Sequence, residues 1–466
     1  MPPTAIRGPF LHLIDDPFYR PISDCLRYLP DGLMVVENGI IVEIGPYAEL
    51  KNRYAQLPLT HYPNKIIVPG FIDTHVHFPQ TEIIAAYGEQ LLTWLDRYIF
   101  PTEQKFSDRA YALTVAEHFL DELLRHGTTT ALVFTSVYPQ STDAFFEAAQ
   151  ARNLRMIAGK VLMDRHAPEA LLDTPDTAYS DSRQLIEKWH QQDRLLYAVT
   201  PRFAITSTPE QLRAAGRLLQ DFPDVYMHTH LSENTAEIAW TNELFPEAGS
   251  YLGVYDQAGL LGKRSVFAHG VHLSETELCR LSECECAIAH CPTSNLFLGS
   301  GLFPLHQAKN PDRPVKVALG TDVGAGTSFS LLRTGGEAYK VAQLQQQSLD
   351  PFQALFLATL GGAQALCLED KIGSFIPGKE ADFIVLDPQA TPTLAFRNQP
   401  YLSVLNPALN SALNSELSEA DADDRSHQGD IANERQMADL RSLIFSLFIL
   451  GDERAIHATH IAGMLV

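Results

Sequence analysis

Residues 65–77 read KIIVPGFIDTHVH, a β-branched apolar run that passes through Pro69-Gly70 and ends in two histidines spaced two apart. An apolar run of this kind bounded by turn residues predicts a buried strand, and the His-Val-His ending puts two imidazoles on one face of it. Seven further runs follow: TTTALVFTS (128–136), RMIAGKVLM (155–163), LLYAVTPRF (195–203), VYMHTHL (225–231), SVFAHG (265–270), CAIAHC (286–291) and VKVALGTD (315–322). Segments with apolar residues at helical spacing lie between them. Residues 107–127 are expected to be capped by Ser107 and ended by Gly127, and residues 208–220 open on Thr208-Pro209. This alternation predicts an α/β fold, a (β/α)8 TIM barrel over residues 69–365.

The flanks have a different texture. Stretches such as GLMVVENGIIVEIG (32–45) and ADFIVLD (381–387) are short and alternating, with turn residues around them. They predict that residues 1–68 and 366–466 supply the two parts of a smaller β-sandwich domain, with the barrel inserted between them. Residues 411–440 carry eight acidic and two basic side chains, so much of this stretch is expected to be a solvated loop. SLIFSLFIL (442–450) is too short to span a bilayer and reads as a helix packed on the barrel or on another subunit.

With 35 basic and 56 acidic side chains among 466 residues, the formal charge is −21. Such a chain repels nucleic acid and anionic membrane surfaces. The first residues lack a basic start followed by an apolar run, and six cysteines are too sparse for a secreted disulfide framework, so a cytoplasmic location is expected. Cys279, Cys284, Cys286 and Cys291 lie close in sequence, but their spacing departs from paired zinc knuckles, and buried thiols near a strand are expected instead.

In a barrel of this type the carboxyl ends of the strands converge on one mouth. His75 and His77 end the first run, His228 and His230 the fifth, His269 the sixth, His290 the seventh and Asp322 the eighth. So many imidazoles and a carboxylate aimed at one mouth would be costly to bury with nothing to bind, so a metal site is expected, zinc first and iron second. Either His228 or His230 satisfies the pattern. Glu233, three residues beyond His230, reads both as a proton shuttle over a metal-activated water and as an acid opening the helix of SENTAEIAW (232–240).

PGFIDTHVHFPQ, THLSEN, FAHG, HCPTSNLFLGSGLF and ALGTDVGAGTSFS together resemble the amidohydrolase superfamily, and within it the branch that deaminates guanine. The HxH and the final aspartate are general to the superfamily, whereas HFPQ, PRF, THLSEN, SNLFLGSG and TDVGAGTSFS are narrower. The resemblance implies one zinc per chain, with Fe2+ as the alternative, held by His75, His77, His230 and Asp322. It implies that His269 contacts the attacking water or the developing alkoxide, that Glu233 shuttles protons and that Asp322 also acts as base. Gln80, Arg202 and Phe203 would bind guanine, with His230, Glu233 and Asp322 also facing it; His228 and His290 receive no role.

The implied reaction is attack of a metal-activated water on C2 of guanine, giving xanthine and ammonia, in a homodimeric enzyme of purine catabolism. Binuclear relatives carry a lysine at the end of strand four. LLYAVTPRF has none, and Lys160, in the third run, reads as a partner for a carboxylate. Two rival readings are a related hydrolase acting on a triazine, an oxidised guanine or a pterin, and a non-catalytic scaffold. The second should show gaps in the ligand set, and none is present.

Overall fold

In the computed structural model, which describes residues 2–406 and 425–466, the two flanks meet in one sheet. Its strands are β1 (Thr4–Leu13), β2 (Leu26–Glu37), β3 (Ile40–Pro46), β4 (Leu59–His61) and β5 (Ile66–Pro69) from the amino-terminal side. The second sheet follows: β6 (Phe71–His77), β7 (Thr128–Phe134), β8 (Arg155–Gly159), β9 (Val161–Leu162), β10 (Leu196–Pro201), β11 (Tyr226–Leu231), β12 (Ser265–His269), β13 (Ala287–His290) and β14 (Lys316–Leu319). The chain then returns to the first sheet with β15 (Phe383–Leu386), β16 (Ile456–Ile461) and β17 (Met464–Leu465).

The first sheet is mixed, in the order β17-β16-β15-β5-β1-β2-β3, with β4 beside β1. Its two halves join where β5 runs antiparallel to β15, with Ile67 opposite Val385. Phe10, Ile67, Phe375, Phe383 and Val385 bury one face of it. Apolar burial, rather than chain proximity, brings the two ends together.

β6 to β14 form a barrel of eight staves, β9 continuing β8 past Lys160 and pairing with β10; neighbouring strands are all parallel and run in sequence order. It closes between β14 and β6 through side-chain and loop bonds. Thr74 Oγ1 donates to the Leu319 carbonyl (2.9 Å), the Thr321 N–H to Asp73 Oδ1 (3.0 Å) and the Asp322 N–H to the His75 carbonyl (2.9 Å). The run 65–77 is thus shared by both sheets, divided at Gly70. A Cβ there would lie 2.1 Å from Thr129 Oγ1, so only glycine lets the chain pass from β5 into β6 against β7.

The helices fill the crossovers. Arg109–Arg125 ends at Gly127, whose φ of +80° is the left-handed turn expected there, but its cap is Asp108, which accepts from the Ala110 N–H (2.9 Å). Ser107 instead donates to the Gln104 carbonyl (2.9 Å), because a 3-10 turn over Gln104–Ser107 places it one residue too early to cap. Thr208 caps Pro209–Asp221, as expected.

The solvated-loop expectation for 411–440 is corrected in part. Residues 411–424 lie outside the described residues, and from Arg425 the chain is one helix running to Leu450. Leu440, Leu443, Ile444, Leu447 and Phe448 are buried at helical spacing. This helix packs on Leu331–Leu344 and Pro351–Ala358 of the barrel, and cooperative growth extends it into the polar segment. Lys160 pairs with Asp173. Cys286 and Cys291 are buried while Cys279 and Cys284 are partly exposed, and all six cysteines are free.

Candidate active site

His75 Nε2 and His77 Nε2 lie 3.2 Å apart, and each is 3.2 Å from Asp322 Oδ1. His230 Nε2 is 3.2 Å from His77 Nε2. β6 ends at His77, His230 is the last residue but one of β11, and Asp322 follows β14 by three residues, so strand ends from three parts of the barrel place four donor atoms around one point.

The surrounding bonds set the tautomers. His230 Nδ1 donates to the Arg202 carbonyl (2.7 Å), which leaves Nε2 bare toward the cage. His75 Nδ1 meets His228 Nε2 at 2.8 Å. Burial lowers His75, pushes His77 down to about 3 and holds His230 well below its ordinary value. Burial also opposes ionisation of Asp322, but its contacts with His75 and His77 outweigh it, and its carboxyl is held well below the usual range. Three neutral imidazole nitrogens and one carboxylate oxygen, crowded together without protons to share, fit a divalent cation of the zinc type.

His269 stands at the edge of this cage. Its Nδ1 pairs with Asn295 Oδ1 (2.9 Å), and its Nε2 is buried without a hydrogen-bond partner, 3.4 Å from Glu233 Oε2 and 3.9 Å from Asp322 Oδ2. Ligand atoms of His75, His230, His269 and Asp322 all fall within 4.8 Å of one another, yet the 3.2 Å spacings favour His77 over His269 as the fourth member. His269 and Asp322 both have left-handed backbone, at φ +74° and +51°. For histidine this is uncommon, and such strain gathers at functional sites.

The cage opens on a cavity of about 380 Å3, counting its mouth. Gln80, Arg202, Phe203 and Glu233 line it together with His77, His230, His269 and Asp322, and Leu91, Trp94, Leu95 and Leu298 add an apolar wall. Gly324, at φ +123°, makes room for Gln80: a Cβ there would lie 2.0 Å from Gln80 Oε1. Glu233 sits just before the helix Thr235–Leu244, which Asn234 caps, and its side chain turns into the cavity. Ser300 Oγ donates to Glu233 Oε1 (3.4 Å), while burial, with the charge of Asp322, holds Glu233 well above the ordinary range.

The residues to which the resemblance gives a role therefore converge on one place. His290 is buried at the end of β13 with both ring nitrogens unpartnered, outside the cage. Two further residues come forward. His228 had been noted without a role, and its contact with His75 supplies one. Glu103, which holds Arg202 Nη1 at 2.9 and 2.8 Å, lies in the segment between β6 and the helix Arg109–Arg125, where no motif or periodicity marked it.

Residues 66–415 match the Amidohydrolase family. A guanine deaminase of Escherichia coli K12 is 48% identical over 469 residues, covering 99% of this chain and 97% of that protein. The solved structure of E. coli guanine deaminase superposes with a TM-score of 0.88 at 47% identity, over 99% of each chain. The guanine deaminase of Bradyrhizobium japonicum superposes at 0.91 with 38% identity, over 100% of this chain and 99% of that one. With the cage, the cavity and these likenesses in agreement, the chain belongs to the amidohydrolase family, on the branch of the guanine deaminases.

Proposed function

We propose that this chain hydrolyses guanine to xanthine and ammonia, with residues 69–365 as the catalytic unit and one divalent metal held by His75, His77, His230 and Asp322. The observation that carries this reading is the buried Glu233 side chain beside the four-atom cage, in a cavity that also presents Arg202, Gln80 and Phe203. Zinc is the metal assigned, with iron the alternative on the same donor set. When bound, the metal acidifies a water so that it deprotonates near neutral pH.

The chain's own groups do the rest. Arg202 donates to O6 of guanine, the Gln80 amide meets the ring edge, and Phe203 lies against the purine face. Water is divided across the pocket: its oxygen bonds to C2, one of its protons passes by way of Asp322 and Glu233 to N3, and the second, first carried on the added hydroxyl, goes to the amine as the C2–N bond breaks. Burial and the charge of Asp322 shift Glu233 toward the acid form that delivery to N3 requires, and Asp322, held well below the usual range, starts ionised as a base must. His269, with Nδ1 committed to Asn295, turns Nε2 toward the oxygen added at C2.

The resemblance also supports a homodimer. Free cysteines support a reducing, cytoplasmic setting, and among the described residues no helix is long and apolar enough to cross a membrane. The decisive test is ammonia release from guanine, adenine, cytosine and a triazine side by side, with metal content measured on the same sample. Release from guanine alone with about one zinc per chain is expected. Bound metal without release from guanine would overturn the substrate assignment.

A further inference from the structure

Arg202 carries a formal positive charge into the cavity, and the fold cancels it from behind. Its Nη1 donates to Oε1 and Oε2 of Glu103 at 2.9 and 2.8 Å, and the two side chains are 3% and 1% exposed. The Phe100 ring stands 5.7 Å from the guanidinium carbon, an aromatic face for the cation. Arg202 lines the cavity and Glu103 does not, so any effect of Glu103 on a ligand passes through Arg202. The other charged or titratable groups around the pair are Tyr138, which feels the charge of Glu103, His75 and His77, which feel that of Arg202, and His230, His269, Asp322 and Glu233, which share the cavity wall with Arg202.

The substrate and product of the proposed reaction differ in acidity. Exchanging the C2 amino group for a carbonyl turns N3–H into an imide-like acid, so xanthine loses a proton near neutral pH while guanine stays neutral. An unpaired buried cation would hold such an anion strongly, because a charge taken out of water needs a partner.

We propose that Glu103 is a positioning and specificity-determining residue, which neutralises Arg202 so that the pocket accepts a neutral purine and releases its more acidic product. This rests on the deamination reading. Nη1 alone meets both carboxylate oxygens, which anchors the guanidinium at that end and leaves its other nitrogens for the purine carbonyl.

The test is xanthine affinity of the metal-loaded protein, by titration calorimetry, from about pH 6 to about pH 9, across the ionisation of the product. In the unaltered chain affinity is expected to weaken as pH rises. In Glu103→Gln, which keeps an acceptor for Nη1 and removes the charge, it is expected to strengthen with pH, by about tenfold or more at the alkaline end relative to the unaltered chain. Glu103→Asp should restore the original profile, which a purely structural role would not require.

A Glu103→Gln profile that tracks the unaltered chain overturns the proposal. Should that variant fail to fold, xanthine binding that tightens with pH in the unaltered chain overturns it equally, and weakening supports it. Ammonia release by the unaltered chain judges the deamination reading separately, since the calorimetry needs no turnover.

Discussion

His228 Nε2 lies 2.8 Å from Nδ1 of His75, on the side of the His75 ring away from the cage. Burial keeps His228 neutral, so it accepts the His75 Nδ1–H and leaves His75 Nε2 bare for a metal. Replacing His228 by Ala is expected to weaken metal binding about 10-fold to 100-fold, measured by competition with a coloured chelator. His228→Gln, which restores an acceptor, should recover part of the loss. Equal metal affinity in all three proteins would remove this role.

Burial and the charge of Asp322 push Glu233 upward beside the cage, and Glu233→Gln keeps its size and polarity while removing the transferable proton. Turnover of guanine should fall by about 10²-fold to 10⁴-fold, with metal content and Tm close to those of the unaltered chain. Undiminished ammonia release would exclude Glu233 from proton transfer.

Gly324 leaves no room for a side chain against Gln80. Gly324→Ala should therefore raise KM for guanine by about tenfold or more through displacement of the Gln80 amide, as expected where a site loses a built hydrogen bond. Metal content should stay the same. A KM unaltered from that of the original chain would show that Gln80 does not orient the substrate.

Removal of the metal should both silence the enzyme and soften the fold. A ligand present at about 100 times its Kd stabilises the native state by about 2.7 kcal/mol, so dialysis against a chelator should lower Tm, and zinc should restore both Tm and ammonia release. Full activity after metal content has fallen to zero would overturn the metal assignment.

The small sheet should carry an acid-sensitive element. Burial pushes both His12 and His460 down to about 4; His12 Nδ1 accepts from the Phe375 N–H, and His460 stacks on Phe383 and faces the Tyr62 hydroxyl. The unfolded chain takes up these protons near pH 6.5 while the folded chain resists until about 4. Stability is then intact above about pH 6.5, falls as pH drops toward about 4, and loses nothing further from these groups below that. His460→Gln should flatten part of this slope in urea titrations at stepped pH. A slope equal to that of the original chain would assign the acid sensitivity elsewhere.

How much of this was legible beforehand follows from the range of the forces involved. The eight barrel strands, the strand-end histidines and Asp322 could be read in advance because burial on both faces and a two-residue repeat leave their mark within a few neighbouring positions. Glu233 was legible as well, through its spacing from His230. The cap at Asp108 and the helix reaching back to Arg425 were not, since the first depends on a preceding 3-10 turn and the second on packing far along the helix.

The amino-acid sequence alone settled the alternation of elements and the kinds of side chain that reach the barrel mouth, because both are consequences of local periodicity. Partnership across the chain was set by the folded molecule. His75 and His228 are 153 positions apart, and Arg202 and Glu103 are 99 apart, and no local pattern encodes either distance. Which buried polar atom finds which partner depends on closure of the barrel, where desolvation makes each such group costly until the right neighbour arrives.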